Sequence, residues 1–533
     1  MAKFALGSAA VSVLLAAVHL ALAWAYAAET PYRSQGILKH QGGQIVPDIG
    51  APDERQHANY LQSLLDGQGI PVLKPGDPNL YESYQSHQPP LYYFLALGWS
   101  KAVGVADARE PDAGWRLRAL NGVIGGIGVS GIYFLALWGY GRRDVAFGAA
   151  AFAALLPMNV ALSSAVTNDP MLYAMCSWNL ALLVRGLRDG FPPRYAILVG
   201  LVCGLALVTK TNAIALVPCI PLAFLLRGKS EGNVAWGSLG ISLLVVGAVV
   251  APWWIRNTSL YGDPLAMKAF MDAFLGSPRA SDLAHALESV GPQSLSGAFK
   301  YWTGLNDLGL GVGWWLARSY IGVFGYMDIF LPSAVYSGFL LGILGALGAA
   351  SLTEKRKSSD PSRTDPNGLT NPIQSEPTQT DPNQPERQPH HSPYGVAFLN
   401  TAFFLLILAF FLRFNTVYFQ AQARYLIPAI GPVACAVALG LARLGGARPA
   451  IPIGFAAASL FALNLYVLAW LPGQFRERTE PLLRGARSDP SVNATAERRL
   501  TGGMELVAAG GQMQARLPAA RRTVRELSFD RTG

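Results

Sequence analysis

Charged residues are scarce in this chain: Asp, Glu, Lys and Arg make up only 14% of its 533 residues, while apolar types make up 51%. A single soluble globule of this length needs far more charge to cover its surface. The shortage excludes an ordinary soluble protein and predicts that a bilayer solvates much of the chain. Cysteine is scarce too, and Cys176, Cys203, Cys219 and Cys435 lie within apolar runs without close pairing or metal-ligand spacing. We expect them to be small core residues.

Long apolar runs recur along the sequence, each of about 17 to 25 residues, the length that a helix needs to cross the hydrocarbon layer. They predict an all-α polytopic membrane protein with a bundle of about eleven transmembrane helices. The predicted spans are residues 4–26, 119–140, 145–163, 170–187, 194–209, 213–228, 236–255, 325–350, 395–412, 425–443 and 450–471. The first run also allows a cleaved signal peptide, but its length favours an uncleaved anchor.

The basic residues predict how these spans are oriented. Short loops rich in Lys and Arg stay in the cytoplasm, and six such clusters fall on one side under a single threading. That threading predicts a cell (inner or plasma) membrane protein with a cytoplasmic N-terminus and an extracytoplasmic C-terminus. Two large extracytoplasmic loops result, over residues 29–118 and 256–322. Because the net charge of +9 comes mostly from these clusters, no nucleic-acid partner is expected.

Three further segments need separate interpretation. Residues 89–104 are apolar, but counting them as a span would export the basic loops, so we predict an interfacial helix. Residues 353–393 are rich in Pro, Asp, Asn, Gln and Ser, which predicts a disordered cytoplasmic linker. Residues 473–533 form an Arg-rich extracytoplasmic tail in which GMELVAAGG and VRELSF are candidate strands.

The first extracytoplasmic loop carries an acidic pair, Asp53 and Glu54, at the predicted start of a helix, with His57 one turn after Asp53. Carboxylates at a helix N-terminus are stabilised by the helix dipole, so a capped surface helix is one interpretation. A carboxylate facing a dry cavity is a second, since it can act as general base on an acceptor hydroxyl. Asp53 and His57 sharing a metal ion is a third, although two ligands are a weak signal.

Other candidate residues lie at helix ends on the same face of the membrane. His87 and Gln88 precede a proline pair, which predicts a rigid turn or a site for phosphate or sugar, and Tyr92 belongs to the aromatic residues that follow. Asp169 stands at the end of a span, where a carboxylate needs a polar cavity or a capping role. Arg256 and Arg424 at outer helix ends each fit either an interfacial anchor or a ligand for an anion.

The order of these sequence elements resembles the order found in a known protein family. PDE…H in the first loop, HQPPLYY, NDP, LVTKTNAI, WWIRN…YGDP and QARY follow one another over roughly residues 8–472. Together they resemble the GT-C glycosyltransferases, in the branch of protein O-mannosyltransferase-like and aminoarabinose-transferase-like enzymes. The resemblance implies an inverting transferase that takes a sugar from a polyprenyl-phosphate donor and delivers it to an extracytoplasmic lipid, glycan or protein acceptor at the bilayer.

The resemblance also implies site residues. Asp53 matches the catalytic acid of the first loop, with Glu54 beside it, and Asp169 matches the second external acid. The substrate-binding residues that it suggests are His57, His87, Gln88, Tyr92, Arg256, Arg424 and Tyr425. The chain lacks the Asp-x-Asp spacing of metal-using relatives, so no cofactor is expected and a divalent metal is not implied. It also lacks the large C-terminal domain that oligosaccharyltransferases carry.

Several alternatives stay open at this point. A transporter or flippase of a lipid-linked sugar also needs polar residues at a cavity mouth, although its sites usually lie near the membrane midplane within repeated halves. A glycan polymerase or ligase differs in acceptor more than in chemistry. An inactive assembly protein of the same fold is a fourth possibility.

Overall fold

The computed structural model describes residues 2–40, 42–275, 312–351, 393–418, 420 and 422–488, and these are almost entirely helical. The helices are α1 Ala2–Glu29, α2 Glu54–Leu65, α3 Leu80–Ser83, α4 Leu91–Ala102, α5 Ala113–Tyr140, α6 Arg143–Leu155, α7 Pro157–Ser163, α8 Asp169–Asp189, α9 Pro193–Leu207, α10 Cys219–Glu231, α11 Trp236–Tyr261, α12 Met267–Ala273, α13 Val312–Ile321, α14 Ser333–Ser351, α15 Pro393–Val417, α16 Ile430–Leu444 and α17 Ala450–Ser488. Three 3-10 helices cover Tyr84–His87, Thr211–Leu216 and Ala423–Ala429.

Four short strands form two antiparallel hairpins. In the first, β1 Gly36–Leu38 pairs with β2 Gln44–Val46, and in the second, β3 Val323–Phe324 pairs with β4 Ile329–Phe330. The linker predicted over 353–393, apart from its last residue, lies outside the described residues. So do both candidate strands of the C-terminal tail.

The predicted fold class, an all-helical polytopic membrane protein, is confirmed. In the described part of the chain, eight helices are long and apolar enough to cross a membrane, or nine if the bent pair α6 and α7 forms one span. The remaining two predicted spans coincide with α8 and α9, which fall short of that measure of length and hydropathy. The count of eleven crossings therefore stays a prediction.

The interior of the bundle is formed by α5, α6 and α8. About 78% of the apolar stretch of α5 is buried, against 17% for α14, which leaves the outer surface of α14 for lipid. Glycines on α5 let its neighbours approach closely: a Cβ at Gly128 would lie 3.2 Å from the Cα of Ala174 on α8. Small residues at such interfaces are how membrane helices gain packing contacts.

The span predicted over 325–350 is wrong at its start, because residues 323–330 form the second hairpin and α14 begins only at Ser333. Gly325, Tyr326 and Met327 all have positive φ values, which a helix does not allow. The Tyr326 amide donates to the Gly50 carbonyl at 2.6 Å. The hairpin is therefore tied to the loop that precedes α2, a long-range contact that hydropathy does not report.

Three other predicted boundaries are also corrected. The predicted spans 119–140, 236–255 and 450–471 are parts of longer helices that extend into the predicted loops: α5 starts at Ala113, α11 ends at Tyr261 and α17 runs on to Ser488. The extension of α17 has a polar anchor, since Arg478 donates to the Asp328 carboxylate at 2.9 Å and is 1% exposed. Hydropathy did not predict this extension of the helix, because Arg478 lies in a charged stretch of the sequence.

Helix α4 falls within the ambiguous apolar segment 89–104 and has 12 residues. At a rise of about 1.5 Å per residue it is too short to cross the hydrocarbon layer alone. It packs against α2 and α5. The geometry therefore agrees with a helix that does not span the membrane.

Candidate active site

Asp53 is the N-cap of α2 and adopts the left-handed backbone conformation, with φ of 62°. Asp tolerates this region better than most residues. One carboxylate oxygen accepts from the Tyr84 hydroxyl at 2.5 Å, and the other accepts from the Arg424 guanidinium. Burial by itself raises the pKa of Asp53, but Arg424 and then Tyr84 outweigh it and hold the pKa below its ordinary value. Asp53 is therefore a buried, ionised carboxylate. We refer to the buried residues around Asp53 and Asp169 as the pocket.

Asp169 is the second buried acid of this pocket. It is the first residue of α8, with Pro170 in the first turn, a position where a helix dipole favours a carboxylate. Lys210, just after α9, donates its ammonium group to the Asp169 carboxylate. Both side chains are less than 15% exposed, at 7% for Asp169 and 13% for Lys210. The pocket thus contains a second carboxylate and cation pair.

His57 interacts electrostatically with both carboxylates, and its hydrogen bonds lead to main-chain groups of the two acids. Its amide donates to the Asp53 carbonyl at 3.1 Å, and its ring Nε2 lies 3.3 Å from the Thr167 hydroxyl. That hydroxyl also accepts from the Asp169 amide at 3.4 Å. The ring Nδ1 contacts the Tyr93 hydroxyl at 2.7 Å. Burial first, and the positive charge of Lys210 second, lower the pKa of His57 to about 3, so its ring is neutral.

Glu54 follows Asp53 directly but makes an entirely different set of contacts. Its carboxylate accepts from Arg118 Nε at 2.8 Å and Nη2 at 2.6 Å, and also from the Val166 amide at 2.7 Å. Arg118 gives its other donors to the carbonyls of Ala27, Thr30 and Pro31. Glu54 is 0% and Arg118 is 1% exposed. This ion pair ties the end of α1 and the start of α5 to the segment that leads to Asp169.

His87 and Gln88 line the same pocket. His87 Nδ1 lies 2.8 Å from the Tyr84 carbonyl, and its Nε2 lies 3.2 Å from the Gln88 amide nitrogen. Gln88 accepts from the Asn168 side chain at 3.2 Å, beside Asp169. Burial is the main cause that lowers the pKa of His87 to about 4. The predicted residues His87 and Gln88 are therefore brought together with both acids.

Tyr92 and Tyr425 contact residues that surround the two acids. Tyr92 is buried and its ring meets that of Tyr93 edge-on, with centroids 5.3 Å apart. The Tyr425 ring lies 5.2 Å from the Arg424 guanidinium, and its hydroxyl lies 3.3 Å from Arg424 Nη2. Tyr425 therefore helps to orient the cation that contacts Asp53.

Arg256 is engaged elsewhere. Its guanidinium donates to the carbonyls of Pro71 at 2.9 Å and Ile70 at 3.4 Å, and it lies over the Trp253 ring at 4.8 Å. These contacts fix the loop between α2 and α3 to the end of α11. Arg256 therefore contacts the loop at Ile70 and Pro71. The resemblance had suggested that it binds substrate.

The sequence motifs did not indicate Tyr84, Thr167 and Asn168 as pocket residues, and they suggested no role for Lys210. Tyr84 precedes His87 by one turn, and Thr167 and Asn168 directly precede Asp169, so proximity to the recognised motifs was a usable signal. Within the residues that the structure describes, no three His, Cys, Asp or Glu side chains come close enough to hold a metal ion.

The profile of the family described as dolichyl-phosphate-mannose-protein mannosyltransferase matches residues 88–255. This segment contains Gln88, Tyr92, Asp169 and Lys210. The match confirms the resemblance to GT-C enzymes that the motifs indicated. A search of curated proteins found no match.

Among solved structures, the Archaeoglobus fulgidus oligosaccharyltransferase, crystallised with Zn and sulfate, matches with a TM-score of 0.45 and 14% identity over 86% of this chain and 53% of that one. ArnT from Cupriavidus metallidurans, in the apo state, matches with a TM-score of 0.36 and 15% identity over 81% of this chain and 77% of that one. The chain thus spans about half the length of the oligosaccharyltransferase. Likenesses this remote carry no residue roles.

Proposed function

We propose that this chain is a GT-C membrane glycosyltransferase that transfers a sugar from a polyprenyl-phosphate donor to an acceptor at the pocket of Asp53 and Asp169. One observation carries the proposal: two buried acid and cation pairs, Asp53 with Arg424 and Asp169 with Lys210, both act electrostatically on the buried His57 ring. The family description for residues 88–255 names a dolichyl-phosphate sugar donor, which supports this substrate class.

The chemistry of sugar transfer suits these groups. An acceptor hydroxyl is a weak nucleophile, so a base must take its proton as it attacks the anomeric carbon. Asp53 is ionised and is the candidate base, and attack from the face opposite the phosphate inverts the anomeric centre. The departing lipid phosphate gathers negative charge, which a fixed cation stabilises. Arg424 and Lys210 are the candidate cations, and Asp169 holds Lys210 in position for this role.

The proposed roles differ from the sequence-based ones at two residues. Glu54 accepts three hydrogen bonds within a buried ion pair, so we assign it a structural role and not proton transfer. Arg256 holds the loop at Ile70 and Pro71, so we assign it to that loop and not to phosphate. We keep His57, His87, Gln88, Tyr92 and Tyr425 as substrate-binding residues, and we propose no metal requirement.

The position of the pocket suits a lipid-linked donor. Lys210 and Arg424 lie at the starts of the long apolar stretches Thr211–Glu231 and Ala423–Leu444, and Asp169 begins α8. A polyprenyl tail can stay in the bilayer beside these stretches while its head group reaches the acids. Holding both substrates in this way orients them relative to each other, which speeds the reaction between them. We propose that this is the extracytoplasmic end of the bundle, as the distribution of basic loops predicts.

The test is a gene deletion in the host, restored with the wild type, Asp53→Asn or Asp107→Asn, followed by mass spectrometry of surface glycans and polyprenyl-phosphate sugars. Asp107 is a matched control, because it lies in the same loop and pairs at the surface with Arg109. We expect Asp53→Asn to resemble the deletion, with one sugar missing from the surface and its lipid donor accumulating, while Asp107→Asn restores the profile. Full restoration by Asp53→Asn would disprove the role of Asp53 as base.

Detergent extracts of the same strains distinguish a transferase from the main rival, a transporter of a lipid-linked sugar. A lost transporter leaves transfer activity intact in detergent extracts supplied with both substrates, whereas a lost transferase abolishes it. Several polar side chains inside the bundle, including Asn121, Asn179 and Asn464, donate to backbone carbonyls. Their amide nitrogens are therefore used within the protein and are not available to a substrate near the midplane, where transporters bind it.

A further inference from the structure

A sharp break separates α6 from α7, whose axes differ by 60°. Pro157 begins α7 and has no N–H, and Leu156 before it is extended, with φ of −67° and ψ of 115°. The break removes the carbonyls of residues 153, 154 and 155 from the regular helical ladder. Inside a membrane protein there is no bulk water to satisfy them, so each needs a donor from the protein.

Three side chains supply these donors, one for each carbonyl. Asn159 Nδ2 donates to the Ala153 carbonyl at 2.8 Å. His19 Nδ1 lies 2.9 Å from the Ala154 carbonyl, and Asn464 Nδ2 donates to the Leu155 carbonyl at 2.8 Å. His19 and Asn464 are fully buried, and they come from α1 and α17 at opposite ends of the chain. All three freed carbonyls are therefore hydrogen-bonded within the protein.

His19 differs from the two asparagines because its ring also contacts the far end of α7. Since Nδ1 donates to a carbonyl, Nε2 of the neutral ring is an acceptor, and it lies 2.9 Å from the Ser163 hydroxyl. Gly125 on α5 makes room for this contact, because a Cβ there would lie 2.4 Å from Ser163 Oγ and 2.5 Å from His19 Nε2. The imidazole thus joins the last turn of α6 to the last residue of α7.

The segment after Ser163 leads directly into the active-site pocket. Val166 donates its amide to Glu54 at 2.7 Å, Thr167 contacts His57, and Asp169 pairs with Lys210. The orientation of α7 therefore decides where this segment enters the pocket. We propose that His19 is a positioning residue, which holds α7 through Ser163 and thereby places Asp169 for transfer. The inference rests on the proposed function.

The side chain at position 19 must offer a donor and an acceptor at once. Glutamine can supply both groups with its amide, whereas leucine of similar size supplies neither. A displacement of the order of 1 Å at reacting groups can lower a rate by roughly 100-fold. We expect His19→Leu to lower turnover by roughly 10- to 100-fold and His19→Gln to recover most of that loss.

Two matched variants separate positioning from simple stabilisation. Asn464→Leu removes the donor to the neighbouring Leu155 carbonyl and the acceptor of the Tyr26 hydroxyl, but it has no link to Ser163. Ser163→Ala removes only the partner of His19 Nε2. Turnover is measured per folded enzyme in lipid nanodiscs with a polyprenyl-phosphate sugar, and thermal unfolding is followed in parallel. We expect Ser163→Ala to lower turnover in the same direction as His19→Leu, while Asn464→Leu lowers the unfolding temperature and leaves turnover of the folded fraction near wild type.

A double variant tests the route through Asp169. If His19 acts by placing Asp169, His19→Leu should add less than about threefold to the loss caused by Asp169→Asn, because residues that act as a unit are not additive. Fully additive losses, or equal turnover losses in His19→Leu and Asn464→Leu, would overturn the proposal. Full activity in Asp169→Asn would disprove a role of Asp169 in transfer and, with it, the proposal that His19 acts by placing Asp169.

Discussion

Arg424 donates to the carboxylate of Asp53, a residue 371 positions earlier in the chain. Both side chains are buried, at 6% and 7% exposure, and the Tyr84 hydroxyl holds the second carboxylate oxygen. The contact keeps the candidate base ionised inside the protein. It also leaves the candidate phosphate ligand, Arg424, next to the base, so one cation can act on both partners of the reaction.

Replacing Arg424 should change the pH dependence of transfer as well as donor binding. In Arg424→Gln the pKa of Asp53 rises, because the nearest positive charge is lost while burial remains. A carboxylate beside an opposite charge commonly has a pKa lower by about 1 to 3 units, so the acidic limb of the kcat/KM profile should move up by that amount. The KM for the donor should increase too. Arg413→Gln, at an exposed arginine of α15, is the control, and an unshifted acidic limb in Arg424→Gln would contradict the electrostatic link.

The Glu54 and Arg118 pair should contribute stability and not proton transfer. Removing one partner of a buried ion pair typically costs about 3 to 5 kcal/mol, because the other charge is left buried and unpaired. Arg118→Leu should therefore unfold at a clearly lower temperature in detergent, whereas Arg109→Leu should not, since its pair with Asp107 is at the surface. A Glu54→Gln enzyme of wild-type stability but without turnover would favour a catalytic role for Glu54.

Neither histidine of the pocket should titrate near neutral pH. Burial is the largest cause that lowers the pKa of His57 to about 3 and that of His87 to about 4. Both rings are then neutral over about pH 5 to 8, the range in which an ordinary histidine changes charge. We expect no step in the kcat/KM profile that disappears in His57→Gln or His87→Gln. Such a step would show that one of these rings is protonated during turnover.

Asp48 should make stability fall as pH rises. Burial and, next, the Glu54 carboxylate raise its pKa from 3.8 to about 7, against the effect of Arg55. The folded protein therefore binds this proton more tightly than the unfolded chain does. The resulting stabilisation is complete below the unfolded pKa and is lost as pH increases towards the folded pKa.

The variant Asp48→Asn lacks this proton equilibrium. Its free energy of unfolding, relative to wild type, should increase between about pH 4 and pH 7, by roughly 4 kcal/mol if the whole shift is expressed. Denaturant unfolding of both proteins in the same detergent across this range provides the measurement. Parallel stability curves would show that Asp48 has an ordinary pKa in the folded protein.

The sequence by itself determined the class of fold and indicated the region of the candidate site. Low charge and long apolar runs require a bilayer as solvent, so the helical architecture followed from composition and run length. The ordered motifs indicated a set of candidate site residues, namely Asp53, His57, His87, Gln88 and Asp169. Hydropathy failed at the hairpin over 323–330, because its positive φ values and its bond to Gly50 depend on distant parts of the chain.

Only the tertiary structure decided what each polar residue contacts. Asp53 and Glu54 are neighbours of the same chemical type, yet one meets Arg424 and the other meets Arg118. Asp53 is the left-handed N-cap and Glu54 is the first helical residue, so the two side chains leave the backbone in different directions. Their partners lie 371 and 64 positions away. No local pattern encodes such pairings, because they exist only once the helices have packed.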